Sequence, residues 1–517
     1  MMDEASGRMF AHKIVKVDEL VNRIGPRPRK KKVIMCHGTF DVVHPGHIRH
    51  LLYAKSKGDI LVCSLTADQH IAKANVRPYV PEDLRAINLA ALEMVDYVVL
   101  DLDATPLKNL AVIQPDYFAK GYEYSASGLH PKTQEEVRIL ESYGGEILFT
   151  PGDIVYSSSA LIELAPPKIA PEKLIMLMAA EDITFSDLRN ALEGFRGVRV
   201  HVLGDTIVDS YTYCDVIGGI TKTPTVSVRF ETKMDYVGGA GIVAKHLRAA
   251  GADVTFSTIL GDDGYKGLVL QDLNEAGIHC KEIIDPSRPT TNKNAIVADG
   301  YRLLKIDTLD NRSISDRIRG TLERQLREIP TDLVVFSDFR HGIFNRQTIP
   351  SLSAAIPDGV FRVADSQVAS RWGNILEFQG FDLITPNERE ARFALGDQDS
   401  VVRPLATELF GRAKCRTLML KLGDRGILTY RTRGSGDPRT VIALDSFVDR
   451  LHDAVGAGDA LLSYASLALK TTGSDAIASI LGSIAAAIEC EHEGNIPVTP
   501  DGVRQKIDHV EQQVRYA

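Results

Sequence analysis

Residues 37–47 read HGTFDVVHPGH and directly follow the apolar run KVIMC at positions 32–36. A short apolar run is typical of a strand buried in a parallel sheet, and the Pro-Gly pair after His44 marks the start of a helix. His44 and His47 are three positions apart at that start, so their side chains face the same way. Gly38 allows a ligand to approach the backbone closely. The stretch therefore predicts a strand, a loop and a helix whose N-terminus binds an anion.

The segment from position 32 to 164 alternates short apolar runs with stretches of helical periodicity. Strands that alternate with helices predict a parallel, doubly wound sheet. We predict strands at 32–36, 60–65, 97–100, 117–119 and 146–149, and helices at 47–57, 82–94 and 132–143.

Three prolines within positions 165–171 interrupt regular structure and mark a domain boundary. We therefore expect an N-terminal extension at 1–31, a first domain at 32–164, a proline-rich linker at 165–172 and a second domain at 173–517.

The second domain opens with a predicted helix at 185–195 and again alternates strands with helices. Segments 213–230 and 290–307 show strand-like alternation and predict a small separate sheet. The fold class is therefore α/β, with two doubly wound parallel-sheet domains and an accessory β-sheet lid on the second. The other strands of the second domain are predicted at 198–203, 332–337, 361–365, 381–385 and 417–421.

The composition narrows the classes of protein and partner. A chain of 517 residues, 44% hydrophobic and 25% charged, is typical of a soluble protein with more than one domain. Its 60 basic and 68 acidic residues give a net charge of −8, which argues against a nucleic-acid partner bound by a general basic surface. The basic run RPRKKK at 27–32 is a local exception, and it is either a solvated lead-in to the first strand or a patch that steers phosphate.

Cysteine usage and hydropathy indicate the compartment. The six cysteines are scattered without a CxxC pair, which favours a reducing compartment. No signal peptide is visible, and the longest apolar stretch, 476–488, is too short to span a bilayer. We expect a cytoplasmic protein with no membrane partner.

The histidine pair at a helix start suits attack on an α-phosphoryl group with pyrophosphate leaving, because that reaction needs charge stabilisation and positioning. The pattern GTFDxxHxGH after an apolar strand resembles the cytidylyltransferase-type nucleotidyltransferases, and the resemblance covers most of 33–163. It implies joining of a nucleoside monophosphate to a phosphorylated alcohol, with His44 and His47 as catalytic residues. It also implies nucleotide or phosphate contacts from Gly38, Thr39, Phe40, Asp41, Lys55, Arg85, Lys120, Ser157, Ser158 and Ser159.

A second glycine loop, DAVGAGD at 453–459, lies about four hundred residues further along the chain. Backbone N–H groups at a helix start form an anion hole for a transferring γ-phosphoryl group, here those of Ala457, Gly458 and Asp459. Asp459 is then placed to accept the proton of a sugar hydroxyl. The loop resembles the active site of the ribokinase-type (PfkB) sugar kinases, and the resemblance runs from about 198 to 500.

The kinase resemblance extends to further segments of the second domain. It implies that Asn387 and Glu390 belong to the Mg²⁺ and phosphate network, with the metal held through water. It implies nucleotide or phosphate contacts from Lys421, Gly423, Gly426, Gly456, Ala457 and Gly458. The sugar is expected to contact Asp209, Gly238, Gly239, Asp338 and Arg340.

Two positions depart from the kinase pattern. Ile242 stands where heptose-phosphorylating relatives have asparagine, so one contact to a sugar hydroxyl is missing. Ala454 stands where threonine is usual, which removes a hydroxyl but leaves the backbone anion hole intact. The change at Ile242 affects the identity of the sugar more than the chemistry of phosphoryl transfer.

The two sites together resemble the bifunctional heptose enzymes, in which a sugar kinase is fused to an adenylyltransferase, although the order of the domains here is reversed. The resemblance implies a heptose-like sugar phosphate and ATP as small-molecule substrates, Mg²⁺ as cofactor, and a homo-oligomer. One alternative keeps both chemistries with another sugar or polyol phosphate and CTP at the first site. Another alternative is that one domain binds nucleotide as a sensor without turnover.

Overall fold

The computed structural model describes residues 10–71, 78–121, 131–150, 170–218, 226–367, 374–432, 441–492 and 496–516. The chain divides into two compact units. The first comprises Met1–Leu177, Val401–Pro404 and Val514–Ala517, and the second comprises Met178–Ser400 and Leu405–Gln513. The division falls inside the helix Ala170–Ala180, shortly after the proposed linker, most of which lies outside the described residues.

The first unit is built on a five-stranded sheet in which every neighbouring pair is parallel. The strand order is β3-β2-β1-β4-β5, so the direction of winding reverses between β1 and β4. The strands are β1 (Val33–Gly38), β2 (Ile60–Thr66), β3 (Tyr97–Asp101), β4 (Tyr117–Gly121) and β5 (Glu146–Thr150). All five strands that we predicted for this segment are present.

Helices cover both faces of this sheet, as the doubly wound prediction requires. Ile34 and Cys36 pack into one apolar layer with Leu51 and Leu89, while Val33 and Met35 face the other layer. This alternation buries both sides of β1, which is typical of a central parallel strand. The helices are Val17–Ile24, Pro45–Lys55, Glu82–Ala90, Leu107–Ile113 and Pro131–Ser142, of which the first and fourth were not predicted.

The basic run at 27–32 lies where the strands begin, at the edge opposite their carboxyl ends. Arg29 donates to the carbonyl oxygens of Ile113 (2.5 Å) and Gln114 (2.9 Å) at the end of the helix Leu107–Ile113. Arg27 donates to the carbonyl of Gly144 (3.1 Å). Cations near a helix C-terminus complement its dipole. The run therefore fastens the lead-in to β1, and its arginines do not point to a phosphate at the other edge.

The second unit contains a nine-stranded sheet in the order β10-β9-β6-β13-β14-β15-β16-β17-β18. Its strands pair in parallel from β10 to β16, and β17 and β18 continue antiparallel. The bounds are β6 Arg199–Gly204, β9 Asp253–Leu260, β10 His279–Ile284, β13 Leu333–Asp338, β14 Phe361–Ser366, β15 Leu383–Ile384, β16 Thr417–Lys421, β17 Ile427–Arg431 and β18 Val441–Leu444.

A separate four-stranded sheet accompanies it, as the alternation at 213–230 and 290–307 predicted. Its order is β12-β11-β7-β8, with β11 and β7 parallel and the outer pairs antiparallel. The strands are β7 (Thr206–Gly218), β8 (Ser227–Gly239), β11 (Thr291–Ala298) and β12 (Tyr301–Thr308). β7 begins two residues after β6 ends, so the small sheet is connected directly to the carboxyl edge of the large sheet.

The helices of the second unit pack around the large sheet. Ala457–Thr472 and Asp475–Cys490 are apolar and almost completely buried. No helix among the described residues combines the length and the apolar run needed to cross a membrane. The remaining helices are Phe185–Glu193, Ala240–Ala249, Gly264–Glu275, Asp316–Glu328, Thr348–Ala355, Glu388–Leu395, Val402–Ala413 and Pro500–Tyr516.

Candidate functional sites

The first site lies at the carboxyl ends of β1 and β4, where the winding of the sheet reverses. Ligands of doubly wound sheets bind at this position. His44 is the N-cap of the helix Pro45–Lys55, and its Nδ1 accepts a hydrogen bond from the N–H of Gly46 (3.1 Å). The fold therefore brings the predicted histidine pair to the predicted edge, at a helix N-terminus.

The two histidine rings are stacked. Their centroids are 3.9 Å apart at an interplanar angle of 27°, and the Phe40 ring lies 5.2 Å from that of His47. Burial, with His44 and His50 nearby, lowers the pKa of His47 to about 4, and burial also lowers the pKa of His44. Nδ1 of His47 is buried without a hydrogen-bond partner among the described residues. A backbone hydrogen bond with Val42 opposes the lowering of the His47 pKa.

The loop after β1 is held by its own contacts. Phe40 adopts a left-handed φ of 46°, and a Cβ at Gly38 would lie 3.2 Å from its ring. Asp41 is 2% exposed and accepts a hydrogen bond from the N–H of Val80 (2.8 Å). Asp41 is thus an anchor of the loop, while Gly38 and Thr39 supply backbone at the site.

Arg85 is completely buried and ties several loops together. Its guanidinium donates to the carbonyl oxygens of Thr39, Thr66 (3.0 Å) and Val80 (2.9 Å). It also pairs with Asp68 (2.5 Å). The side chain fixes the loops at the ends of β1 and β2, and direct contact with phosphate stays a prediction.

The structure separates Lys55 from the histidine pair, against the expectation. Lys55 ends the helix that His44 begins, and 11 residues at 1.5 Å each place it about 16 Å away along the axis. Its Nζ pairs with Asp96 (2.5 Å) and donates to the carbonyl of Asp59 (2.6 Å), where β2 and β3 begin. The lysine joins the helix to the strands at the other edge of the sheet.

Lys120 does lie at the correct edge, at the end of β4. Its ammonium forms an ion pair with the buried Glu136 and reaches Thr133 Oγ1 (3.3 Å). A phosphate contact from Lys120 would compete with this carboxylate. The predicted contacts from Ser157, Ser158 and Ser159 lie outside the described residues.

Sequence reasoning missed a polar cluster at the ends of β1, β2 and β3. His37 Nδ1 is 3.0 Å from Ser64 Oγ, and that hydroxyl donates to Asp101 (3.3 Å). His37 Nε2 lies 3.3 Å from Thr66 Oγ1. Burial raises the pKa of Asp101 to about 6 and, together with Lys120, lowers the pKa of His37 to about 4. Both ring nitrogens of His37 are engaged within the protein, so the cluster supports the floor of the site.

The second site is formed around the N-terminus of the helix Ala457–Thr472. Gly456 adopts a φ of 85° and turns the chain into the helix. The N–H of Asp459 donates to the Gly456 carbonyl (2.9 Å), so that N–H is used inside the turn and does not belong to the predicted anion hole. The N–H groups of Ala457 and Gly458 precede it in the first turn, where helical N–H groups have no partner within the helix.

The carboxyl group of Asp459 is buried, with 7% of the residue exposed. Gln367 Nε2 donates to its Oδ1 at 3.3 Å. Burial raises the pKa of Asp459 well above its ordinary value, Asp365 raises it further, and Lys421 opposes them. A carboxylate with a raised pKa is suited to accept a proton near neutral pH.

Lys421 lies between this helix start and two further carboxylates. Its Nζ donates to Asp365 (2.9 Å), and a Cβ at Gly458 would lie 3.3 Å from it. Burial opposes the charge on Lys421, but Asp365, Glu390 and Asp459 raise its pKa. The ammonium is therefore held charged beside the glycine loop.

Asn387 and Glu390 form a capping box at the start of the helix Glu388–Leu395. The N–H and Nδ2 of Asn387 both donate to the Glu390 carboxylate, at 2.7 and 2.6 Å, and Asn387 Oδ1 accepts from the N–H of Glu390 (2.9 Å). Burial and Asp365 raise the pKa of Glu390 to about 7. The predicted pair therefore faces the same cluster as Lys421.

Two glycines shape the turn after β16. Gly423 and Gly426 have φ values of 66° and 80°, and a Cβ at Gly426 would collide with the Leu444 carbonyl. Only glycine fits such a position without strain. The turn brings backbone close to the end of β16, where Lys421 lies.

On the sugar side, Gly239 has a φ of 59°, and a Cβ there would lie 2.6 Å from the Asp205 carbonyl oxygen. Gly238 and Gly239 end β8 opposite the start of β7, which also carries Asp209. Burial and Asp365 raise the pKa of Asp459 most, and Asp209 raises it further by a smaller amount. The three predicted residues therefore share one end of the small sheet.

Asp338 and Arg340 bond each other, with Arg340 Nε donating to Asp338 (2.8 Å). Arg340 Nη2 also donates to Glu377 (2.6 Å). Burial raises the pKa of Asp338 to about 7, with Arg340 opposing. The guanidinium lies between two carboxylates, which limits its use for a sugar phosphate. Sequence reasoning also missed Asp365, a polar residue near the end of the apolar strand β14.

A glycine-led helix N-terminus beside a buried aspartate and a lysine is suited to phosphoryl transfer, and a histidine pair at the switch point of a doubly wound sheet is suited to nucleotide binding. The family model of the pfkB carbohydrate kinases matches residues 199–501, more than half of the chain. A cytidylyltransferase-like model matches residues 35–163. The chain therefore belongs to the pfkB family of carbohydrate kinases and carries an N-terminal cytidylyltransferase-like domain.

Individual relatives are named as bifunctional proteins. The chain is 28% identical over 327 residues to the bifunctional protein HldE of Rhodopseudomonas palustris strain HaA2, covering 61% of this chain and 64% of that protein. It is 27% identical over 330 residues to HldE of Desulfatibacillum aliphaticivorans, covering 62% and 65%. The chain thus matches less than two thirds of the length of these relatives.

The fold of the second unit has solved counterparts. Phosphofructokinase-2 from Escherichia coli in complex with fructose-6-phosphate superposes with a TM-score of 0.51 at 17% identity, covering 61% of this chain and 99% of that one. The same enzyme with substrates and products gives a TM-score of 0.51 at 18% identity, covering 61% and 100%. At this identity the likeness concerns the fold.

Proposed function

We propose that the protein is a bifunctional enzyme of nucleotide-activated sugar synthesis. The second unit phosphorylates a sugar phosphate with ATP, and the first transfers a nucleotidyl group from a nucleoside triphosphate to a sugar 1-phosphate. The observation that carries the proposal is the buried Asp459, with its raised pKa, at a glycine-led helix N-terminus beside Lys421. The stacked histidine pair supports the second activity.

In the kinase reaction, Asp459 accepts the proton of a sugar hydroxyl as the oxygen attacks the γ-phosphorus and ADP leaves. The N–H groups of Ala457 and Gly458 bind the equatorial oxygens of the transferring group. Lys421 balances part of the charge of the surrounding carboxylates and phosphates. Gln367 holds one oxygen of Asp459, so the other is available for the proton.

The residues present fit Mg²⁺ held through water. Asp365, Glu390 and Asp459 raise the pKa of Lys421, so three carboxylates act on this one ammonium. Such an acidic cluster is compensated by a divalent cation. Among the described residues, no three acidic, histidine or cysteine side chains are close enough to ligate a metal directly. Asn387 and Glu390 would therefore orient metal-bound water, and Mg²⁺ would neutralise the triphosphate.

In the transfer reaction, a phosphate oxygen of the sugar 1-phosphate attacks the α-phosphorus, and pyrophosphate leaves. A sugar phosphate is already ionised at neutral pH, so no base is required. His44 and His47 stabilise the charge that develops on the phosphoryl oxygens, assisted by the helix dipole. Gly38 and Thr39 bring backbone to the same phosphates.

A heptose 7-phosphate is the proposed acceptor of the kinase, with ATP as donor at both sites. The support is the likeness to HldE over 61% of the chain, together with the matches to the kinase and cytidylyltransferase-like families. The product would carry phosphates at both ends, so a phosphatase must act before the second step. Ile242 is 1% exposed within the helix Ala240–Ala249, and it is the position at which another sugar would be selected.

The test is a screen of sugar phosphates with ATP and with CTP, following ADP and pyrophosphate separately. We expect ADP release with heptose 7-phosphate, and pyrophosphate release with heptose 1-phosphate and ATP. Turnover of another sugar alone would reject the heptose and implicate Ile242. Pyrophosphate release with CTP alone would favour the cytidylyl alternative. Binding of nucleotide without either product would favour a sensor.

We also propose a homo-oligomer formed through the small sheet. Tyr301, Leu304 and Ile306 on its edge strand β12 are at least half exposed, as is Phe230 on β8 at the opposite edge. Exposed apolar edge strands favour pairing with another chain. Light scattering should show a dimer or larger assembly for the wild type and a monomer for a Leu304→Lys, Ile306→Lys variant. A monomeric wild type would reject this assembly.

A further inference from the structure

The polar cluster at the floor of the first site lies on the face of the sheet opposite the histidine pair. Met35 packs into the apolar layer that contains Phe118, whereas Leu51, in the helix that the pair begins, packs into the other layer. Residues two apart on a strand share a face, so His37 and Lys120 continue the first of these layers at the carboxyl ends of β1 and β4. His37 therefore lies across β1 from the histidine pair, beside the point where the winding reverses.

The hydrogen bonds of this cluster determine which nitrogen of His37 carries hydrogen. The Ser64 hydroxyl donates to Asp101 (3.3 Å), so its oxygen accepts from Nδ1–H of His37 (3.0 Å). The neutral ring then has its lone pair on Nε2, and Thr66 Oγ1, 3.3 Å away, donates to it. Nε2 is therefore the atom to which a further proton would add.

A proton on Nε2 would cost the cluster no hydrogen bond. A hydroxyl both donates and accepts, so Thr66 changes from donor to acceptor when Nε2 carries hydrogen. The bond from Nδ1–H to Ser64 is the same in both states of the ring. The cluster can therefore hold His37 either neutral or positively charged without leaving a ring nitrogen unpaired.

Asp101 is in position to balance the positive form of the ring. Its Oδ2 lies 3.5 Å from Nδ1 of His37, and its Oδ1 accepts from the N–H of Asp103 (3.1 Å). Burial raises the pKa of Asp101 to about 6, against the hydrogen bonds from Asp103 and Ser64, so the carboxylate is ionised at neutral pH. The carboxylate of Asp103 and the ring of His70 also act on it, with opposite signs. A counter-ion for His37 is therefore present before any ligand binds.

The neighbouring charges keep the ring neutral until an anion binds. Burial and, after it, Lys120 lower the pKa of His37 to about 4. Glu136 already pairs with Lys120, and Asp101 adds a second carboxylate. With His37 neutral, these groups carry a net negative charge, which disfavours a polyphosphate at the ends of β1 and β4. A proton on His37 removes that excess charge, so binding of the anion and binding of the proton should favour each other.

We propose that His37 is a positioning residue of the first site that takes up one proton from solvent when a nucleoside triphosphate binds, with Asp101 as its counter-ion. The proton adds to the lone pair of Nε2, and no covalent bond breaks. The inference rests on the proposed nucleotidyl transfer and deepens it. Lys120 is charged but paired before the substrate binds, whereas His37 becomes charged only with the substrate present. The positive ring then stabilises the phosphates from the floor of the site.

The test is ¹⁵N NMR of the histidine-labelled full chain near neutral pH, with and without α,β-methylene-ATP, which cannot release pyrophosphate. The signals missing in His37→Asn identify His37. We expect hydrogen on Nδ1 alone in the free protein and on both ring nitrogens in the complex. The signal missing in His47→Ala reports whether the site is occupied.

The two signals separate failure of this inference from failure of the proposed function. A shift of the His47 signal without protonation of His37 would overturn the proton uptake and leave the transferase proposal standing. If neither signal responded to this analogue or to α,β-methylene-CTP, the transferase and the proton uptake would both be rejected.

Variants separate this role from a structural one. His37→Asn retains an amide N–H for Ser64 but has no group that gains a proton, and Asp101→Asn removes the counter-ion. Each should raise the KM for the nucleotide about tenfold, with a smaller change in kcat.

The pH profile is the second readout. In the wild type, kcat/KM for the nucleotide should fall as pH rises from about 6 to about 8, because the bound state carries a proton that the free protein lacks. The fall should be shallower in His37→Asn. The matched control is His70→Asn, since His70 Nε2 bonds to the Leu102 carbonyl (2.7 Å), and it should keep the wild-type profile. A wild-type KM and profile in His37→Asn would overturn the proposal.

Discussion

The two candidate sites differ in how the charges around them are balanced before a phosphate binds. In the first unit the predicted cations are each matched by a carboxylate, Arg85 by Asp68 and Lys120 by Glu136. In the second unit, the carboxylates of Asp365, Glu390 and Asp459 act on the ammonium of Lys421 and raise its pKa.

The difference has a physical consequence for each reaction. A site of paired cations and neutral histidines has to exchange internal partners for phosphate when the nucleotide binds. A site with excess buried acid is incomplete until a cation enters with the triphosphate. The rate of nucleotidyl transfer in the first unit is therefore expected to depend on the release of cationic side chains from their internal partners. The rate of phosphoryl transfer in the second unit is expected to depend on the metal–triphosphate complex and on the aspartate base.

The largest expected effect is on the second unit. Asp459→Asn removes the proton acceptor and should lower kcat for sugar phosphorylation about 10²- to 10⁴-fold. Pyrophosphate release by the first unit should be unchanged in the same preparation. Asp501→Asn, at the start of the helix Pro500–Tyr516, is the matched control. Loss of both activities in a folded Asp459 variant would contradict two independent sites.

The opposite pattern, loss of pyrophosphate release with ADP formation retained, is expected when the first unit is altered. His47→Ala should lower pyrophosphate release about 10²- to 10³-fold, because one donor to the phosphoryl oxygens is lost. ADP formation should continue. His50→Ala, one turn further along the same helix and bonded to Thr150, should retain most of the activity. Equal losses in the two variants would show that the helix and not the ring was disturbed.

An Arg85 variant tests whether the cations of the first unit stabilise the fold or contact phosphate. Arg85→Met leaves three carbonyls without their donor and leaves Asp68 with its 3.6 Å pair to Arg403. It should reduce the free energy of unfolding of the first unit by about 3–5 kcal/mol. Denaturant unfolding measures it, with the exposed Arg138→Met as control. A variant that is as stable as the wild type but inactive would instead support direct contact with phosphate.

The histidine pair should respond to its ligand. Because burial, His44 and His50 lower the pKa of His47 to about 4, the free enzyme should keep this ring neutral at pH 6. A bound triphosphate stabilises the protonated form, so the pKa should rise. A ¹³C NMR titration measures it, with the signal assigned by its absence in His47→Ala. Titration of His47 near pH 6.5 in the free enzyme would contradict the buried geometry.

The smallest effect is expected at Lys55. Lys55→Met breaks a partly exposed ion pair with Asp96, which should cost about 1 kcal/mol or less. The KM for the nucleotide should change less than about twofold, since the ammonium lies at the far end of the helix. A large rise in KM with unchanged stability would restore the phosphate contact implied by the family pattern.

The sheets and both glycine loops could be predicted because their signals are local. An apolar run before a glycine and a helix start identifies β1 with His44, and the same logic identifies Asp459. The lid sheet was predicted from alternation, although β7 begins before the predicted segment 213–230 and β8 ends after it. The kinase and transferase families were identified correctly from these segments.

Partners across the fold could not be predicted in the same way. Nothing near Lys120 in the sequence indicates that Glu136, a turn inside the next helix, neutralises it. Lys55 is different, because the length of the predicted helix at 47–57 already placed it far from His44. That contact followed from the family pattern alone.

The N-cap of the helix Pro45–Lys55 also determines which nitrogen of His44 carries hydrogen. Because Nδ1 accepts from the N–H of Gly46, the neutral ring is held in the Nε2–H tautomer. The imidazole then presents a donor to a phosphate oxygen without first becoming an imidazolium. Replacement of the ring by a side chain that caps the helix but has no second nitrogen would keep the fold and lose the donor.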